Sequence, residues 1–123
     1  MDRRGIQGGD QWRTQRWFEG ITRTLDVSDV STPTGAVTLP TMTVFTCPDG
    51  TGYETTCGPG GVDVTAAVTS GAMAVTDQVI TLLRLGGAGK ELTRGTDYEI
   101  VVAFRKDGHD LGCQFYIHCP NEA

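Results

Sequence analysis

Residues 98–117 run Tyr98-Glu99-Ile100-Val101-Val102-Ala103-Phe104-Arg105-Lys106-Asp107-Gly108-His109-Asp110-Leu111-Gly112-Cys113-Gln114-Phe115-Tyr116-Ile117. Asp-Gly between two alternating stretches is the strongest short-range hairpin signal, because a two-residue type I′ turn needs positive φ at both positions. With Asp107-Gly108 as that turn, Lys106 faces His109, Phe104 faces Leu111, Val102 faces Cys113, Ile100 faces Phe115 and Tyr98 faces Ile117. From Phe104/Leu111 outward, every one of those pairs is apolar. The other face carries Glu99, Val101, Ala103 and Arg105 against Tyr116, Gln114, Gly112 and Asp110, a mainly polar set. A slip of one residue would turn one strand's apolar set to the wrong face, so the register is fixed by its own agreement.

The same strand character extends upstream. Arg23–Val30, Ala36–Thr46, Val62–Thr69 and Val79–Leu85 are rich in Val, Ile and Thr. Between them stand turn clusters such as Cys47-Pro48-Asp49-Gly50, Gly58-Pro59-Gly60-Gly61 and Gly86-Gly87-Ala88-Gly89. Short strands with this punctuation and no long helical pattern predict an all-β protein, a sandwich or a small barrel. Before residue 23 the pattern changes. Asp10 is placed to cap a short helix over Gln11–Glu19 that Gly20 would stop. The expected organisation is an N-terminal arm over residues 1–22 and a β-domain over residues 23–123.

The chain has 123 residues, room for one core. Its net charge of −5 is unevenly spread. Residues 1–24 hold five arginines against three acids, whereas the remainder holds five basic residues against twelve acids. An acidic body argues against nucleic acid as a partner, since phosphate contacts need clustered Lys and Arg. No apolar run reaches the roughly 18 to 20 residues a membrane helix needs, and the N-terminus lacks a secretory h-region. Synthesis in a cytoplasm and no membrane partner are expected. Trp12, Trp17 and Phe18 are costly to leave in water, so the arm is expected to cover either its own domain or a neighbouring subunit. Together with Arg3, Arg4, Arg13 and Arg16 they form the candidate partner-binding set.

Leu92-Thr93-Arg94-Gly95-Thr96-Asp97-Tyr98, followed by Ile100 and Val102, resembles the tyrosine corner of fibronectin type III domains and related sandwiches. The resemblance implies that Leu92 packs inward, Gly95 turns the chain and Tyr98 hydrogen-bonds to upstream backbone. Antibody-type domains carry a cysteine two residues after that tyrosine. Here Ile100 stands there, so the likeness is to disulfide-free sandwiches. Thr24–Val30, Thr69-Ser70-Gly71, Gln78–Leu82 and Gly95–Tyr98 together are similar to small Ig-like accessory proteins of tailed bacteriophage virions. That likeness implies a non-enzymatic virion protein, oligomeric in the particle, attached to capsid, neck or tail subunits through its arm. The expected fold is accordingly an Ig/fibronectin-III-like β-sandwich with an extended N-terminal arm. The alternative is a carbohydrate-binding or host-attachment module, for which Tyr53 and Tyr116 are the sugar-stacking candidates.

Cys47 and Cys57 bracket a polar loop that a disulfide would close, with about 3 kcal/mol of chain-entropy stabilisation; free thiols are the alternative. Cys113 and Cys119 lie about 20 Å apart along one strand, too far to bond each other. A metal site from Cys47, Cys57, His118 and Cys119 lacks knuckle spacing, and its last two residues alternate in face, so no metal is expected. No nucleophile elbow, phosphate loop, dinucleotide fingerprint or zinc-protease motif is present. No catalytic residue and no cofactor is assigned.

Overall fold

The computed structural model describes residues 12–29, 35–47 and 61–121. In chain order the strands are β1 (Trp12–Thr14), β2 (Gly20–Ile21), β3 (Thr24–Asp26), β4 (Val37–Cys47), β5 (Thr69–Ser70), β6 (Ala74–Thr76), β7 (Val79–Thr81), β8 (Arg84–Gly86), β9 (Thr96–Lys106) and β10 (His109–Cys119). One short helix, α1 (Thr65–Val68), precedes β5. The protein is all-β in character, with mostly antiparallel sheets.

The hairpin β9–β10 organises the molecule. Its pairs are those read from the sequence: His109 with Lys106, Leu111 with Phe104, Cys113 with Val102, Phe115 with Ile100 and Ile117 with Tyr98. Asp107 and Gly108 both have positive φ, 56° and 80°, as the type I′ turn requires. β4 runs antiparallel along β9, with a register shift between Thr38 and Thr41 where Leu39 takes a φ of 52°. β1 lies parallel to β10 on the opposite edge, so the sheet order is β1-β10-β9-β4.

Two three-stranded sheets, β2-β8-β5 and β3-β7-β6, hold the remaining strands. They continue one another. Ile21 pairs with Leu85 and Thr24 with Thr81, so Thr22 and Arg23 stand opposite Leu82, Leu83 and Arg84. Two residues facing three is a β-bulge, and the Leu82 N–H donating to Arg23 O at 2.9 Å bridges it. Leu25, Ile80, Leu82 and Leu85 from these strands join Met42, Val44, Ile100, Val102, Phe104, Cys113, Phe115 and Ile117 of the larger sheet in a single hydrophobic cluster. Each buried aliphatic side chain contributes about 2 kcal/mol by leaving water.

Three expectations need correction. Trp12–Thr14 is a strand and not part of a helix over residues 11–19, because its backbone pairs with Tyr116–His118, a partner a hundred residues away. Residues 12–21, assigned to an arm from sequence, are therefore built into the sheets through β1 and β2. Only residues 1–11 of the expected arm lie outside the described residues. Val62–Thr69 is not one strand. Asp63 Oδ1 accepts from Thr65 N at 3.0 Å and Thr65 Oγ1 at 2.7 Å, and this local turn starts α1.

Tyr98 is buried, and its hydroxyl accepts from the Thr93 N–H at 2.8 Å, reaching five residues upstream as the resemblance implied. Leu92 is buried in the core, and Gly95, at φ 73°, donates its N–H to Cys119 O. Tyr98→Phe leaves the Thr93 amide without its acceptor and is expected to cost about 1 kcal/mol. A thermal melt unchanged from the parent chain would show that the bond contributes nothing.

Candidate functional site

The most distinctive polar structure is built by the chain between β1 and β3. Gln15 follows β1, and its backbone N–H donates to His118 O at 3.0 Å, which continues the strand by one residue. Alternation turns the Gln15 side chain inward, where it is fully buried. Its Nε2 donates to Leu85 O at 2.7 Å and Glu19 O at 2.9 Å, and its Oε1 accepts from Arg23 Nη2 at 2.9 Å. One amide thus ties the end of β1 to β8 and to the bulge before β3. Gly86 makes room for this arrangement, since a Cβ there would collide with Glu19 O.

Arg23 is mostly buried, and its pKa is pulled down to about 10. Burial is the main cause and the neighbouring charge of Arg13 the second, while Glu19 acts the other way. Arg13 stands opposite Ile117 on the core-facing row of the larger sheet but is exposed, because β1 is at the sheet edge. Between the two guanidinium-bearing strands opens a cavity of about 330 Å³ lined by Arg13, Thr22, Arg23, Thr24, Leu25, Leu82 and Phe115. That is the small end of the range for ligand pockets.

The other expected partner-binding residues divide. Arg3 and Arg4 lie outside the described residues. Trp12 is on β1 beside Tyr116. Arg16 is exposed, as is its neighbour Phe18 at 51 %. Trp17 is half-buried and packs against the core, with the Arg94 guanidinium 4.8 Å from its ring centroid and Phe18 edge-on at 5.5 Å. The Trp17 indole N–H is buried and has no hydrogen-bond partner among the described residues. Sequence reasoning missed Gln15, Arg23 and Lys106. Lys106 is fully buried, its Nζ donating to Val27 O at 2.6 Å and Ser28 O at 3.3 Å. The inward register of Lys106, fixed by the hairpin, was the available signal.

Of the remaining candidates, Cys113 and Cys119 are buried thiols outside any disulfide, and burial raises the Cys119 thiol pKa. His118 Nδ1 contacts Asp97 Oδ1 at 2.5 Å across the strands. Cys57 and Tyr53 lie outside the described residues. Among the described residues no three His, Cys, Asp or Glu side chains cluster as metal ligands, and no helix is long and apolar enough to cross a membrane. No family model, curated protein or solved structure matches the chain.

Proposed function

We propose that this chain is an Ig/fibronectin-III-like β-sandwich serving as a non-enzymatic structural protein of a tailed-bacteriophage virion. The supporting observation is the strand order. A constant-type Ig sandwich places strands A, B, E and D in one sheet and C, F and G in the other. Taking β2 and β3 as strand B, β4 as C, β5 and β6 as D, β7 and β8 as E, β9 as F and β10 as G reproduces the B-E-D and G-F-C adjacencies. Tyr98 then opens strand F, where the tyrosine corner belongs. The virion role rests on the sequence resemblance. Attachment to capsid, neck or tail subunits falls to residues 1–11, with Arg3 and Arg4, and to the exposed Arg13, Arg16 and Phe18. The protein is made in a host cytoplasm and oligomeric once assembled, with no cofactor.

The test is co-purification with assembled particles. The full chain is expected in purified virions, and a chain lacking residues 1–11 is expected to be folded but absent from them. A full chain missing from particles would remove the proposal. We propose further that Cys47 pairs with Cys57. Cys47 is buried and carries no titratable thiol, and neither Cys113 nor Cys119 is in a disulfide. Peptide mapping without reductant should find residues 47 and 57 linked and Cys113 unlinked.

A second reading, a carbohydrate-binding or host-attachment module, is favoured by one row of the larger sheet. Phe45 pairs with Glu99 and Glu99 with Tyr116, so two aromatics flank a carboxylate on the face away from the core. Tyr116 accepts from Gln114 Nε2 at 2.9 Å. Glycan binding that Tyr116→Ala abolishes, in a chain that does not enter particles, would select this reading.

A further inference from the structure

We infer that Lys106 is an internal cation that latches the sheet carrying β3 onto the four-stranded sheet, and that the latch closes only with a free ammonium at its tip. The hairpin register puts Lys106 last in the core-facing row of β9, after Ile100, Val102 and Phe104. A lysine at such a place ordinarily carries its charge out to water along an apolar stem. This one is fully buried. Its Nζ reaches across to the other sheet and donates to Val27 O at 2.6 Å and Ser28 O at 3.3 Å, just beyond β3. Among the described residues no carboxylate pairs with it directly. A buried charge is tolerated only where hydrogen bonds replace its hydration, and here two backbone carbonyls do so.

The peptide joining Val27 and Ser28 explains how the charge is balanced. Its carbonyl accepts from the Lys106 ammonium, and its N–H donates to Asp26 Oδ1 at 2.9 Å. Cation, peptide dipole and carboxylate therefore lie in one favourable chain, an ion pair with a peptide between its partners. The Asp26 carboxyl is held below its ordinary range, chiefly by the Ser28 N–H and least by the charge of Lys106. The surrounding chain is tied to the same place. The Val27 N–H donates to Gln78 O at 2.9 Å, and Gln78 Nε2 donates to Gly35 O at 2.7 Å. Gly35 passes close over the lysine stem, since a Cβ there would stand 3.3 Å from Lys106 Cγ. An acylated amine loses its charge and keeps one N–H where the ammonium has three. It also adds bulk beside Gly35, so it can neither serve both carbonyls nor fit beneath the chain.

The chain holds two lysines, and Lys90, whose Nζ donates to Ala66 O at an exposed site, is the internal control. Acetylation of the full chain with the N-hydroxysuccinimide ester of acetic acid, mapped by peptide mass spectrometry, tests the latch. Under native conditions Lys106 is expected to react at least about tenfold more slowly than Lys90, because its amine is reached only through local opening. In denaturant both react. After removal of denaturant that chain is expected not to regain the parental melt, whereas a Lys106→Met chain treated in the same way should match untreated Lys106→Met. Lys106→Met keeps the volume and loses the donors and the charge. It is expected to melt roughly 5 °C or more below the parent chain. The Val27 and Ser28 carbonyl carbon signals should move, while those of Leu85 and Glu19, served by Gln15, stay in place. Equal native acetylation of the two lysines would overturn the latch, as would parental refolding with Lys106 acetylated. Parental melting of Lys106→Met with unmoved carbonyl signals would reduce Lys106 to a space-filling residue. A Lys106→Met chain too unstable to fold would agree with the latch, and the acetylation contrast in the parent chain tests it without that variant. All of these measurements use the isolated chain, so their outcome is independent of whether it enters virions.

Discussion

Deleting residues 1–22 is expected to abolish cooperative folding. The segment includes β1, which pairs with Tyr116–His118, and β2, which pairs with Gly86 and Leu85. It also carries Trp17, packed against the core, and Gln15, fully buried among backbone carbonyls. Loss of a packed tryptophan alone costs about 3 kcal/mol, and stripping β1 bares one edge of the β9–β10 hairpin. Against a total stability of about 5 to 15 kcal/mol for a small domain, the sum leaves little or nothing. Circular dichroism and thermal melting check this directly. The control is deletion of residues 1–11, which removes none of the described pairings and is expected to shift the melting temperature by less than about 2 °C. A chain lacking residues 1–22 that still melts cooperatively near the parent temperature would show that β1 and β2 are ornaments on an already complete core.

What the sequence made legible, and what it hid, follows from where each residue's partner lies. The β9–β10 hairpin was readable pair by pair because its turn and both its strands are contiguous, and alternation checks itself across them. Trp12–Thr14 was not readable as a strand. Three residues carry no period, Asp10 offers a cap, and the pairing partner is far away in the chain. Val62–Thr69 has strand composition throughout, yet the Asp63–Thr65 contacts turn it into α1, and β propensity yields to such local bonds. The Tyr98–Thr93 bond was legible because its spacing is local. The arginine-lined cavity was half visible. Arg13 stood out as part of a basic segment, but Arg23 counted only as charge until the β3–β7 pairing and the adjoining bulge brought it opposite β1. Gln15 and Lys106 share a reason for being missed. Both are polar side chains whose partners are backbone carbonyls, and no residue pattern marks a carbonyl as waiting for a donor.

Gln15→Ala is therefore the single substitution expected to cost most for the atoms it removes. Two donated hydrogen bonds end at Leu85 O and Glu19 O, and one accepted bond holds the Arg23 guanidinium. Truncation removes one donor each from Leu85 O and Glu19 O, at about 1 kcal/mol per bond, and an acceptor from a charged group, at about 1.5 to 3 kcal/mol. Arg23 can recover little by turning to water, since burial is already the main force depressing its pKa. A total loss of about 3 kcal/mol or more is expected in denaturant unfolding, with an unchanged m-value if the unfolded state is unaffected. Packing alone cannot account for this, and Gln15→Met separates the two causes. Methionine fills a similar volume but neither donates to the carbonyls nor accepts well from the guanidinium. If the amide acts through its hydrogen bonds, Gln15→Met stays well below parental stability even though it refills the space that Gln15→Ala leaves open. Near-parental stability of Gln15→Met would instead make Gln15 a space-filling residue and leave Arg23 oriented by its own burial.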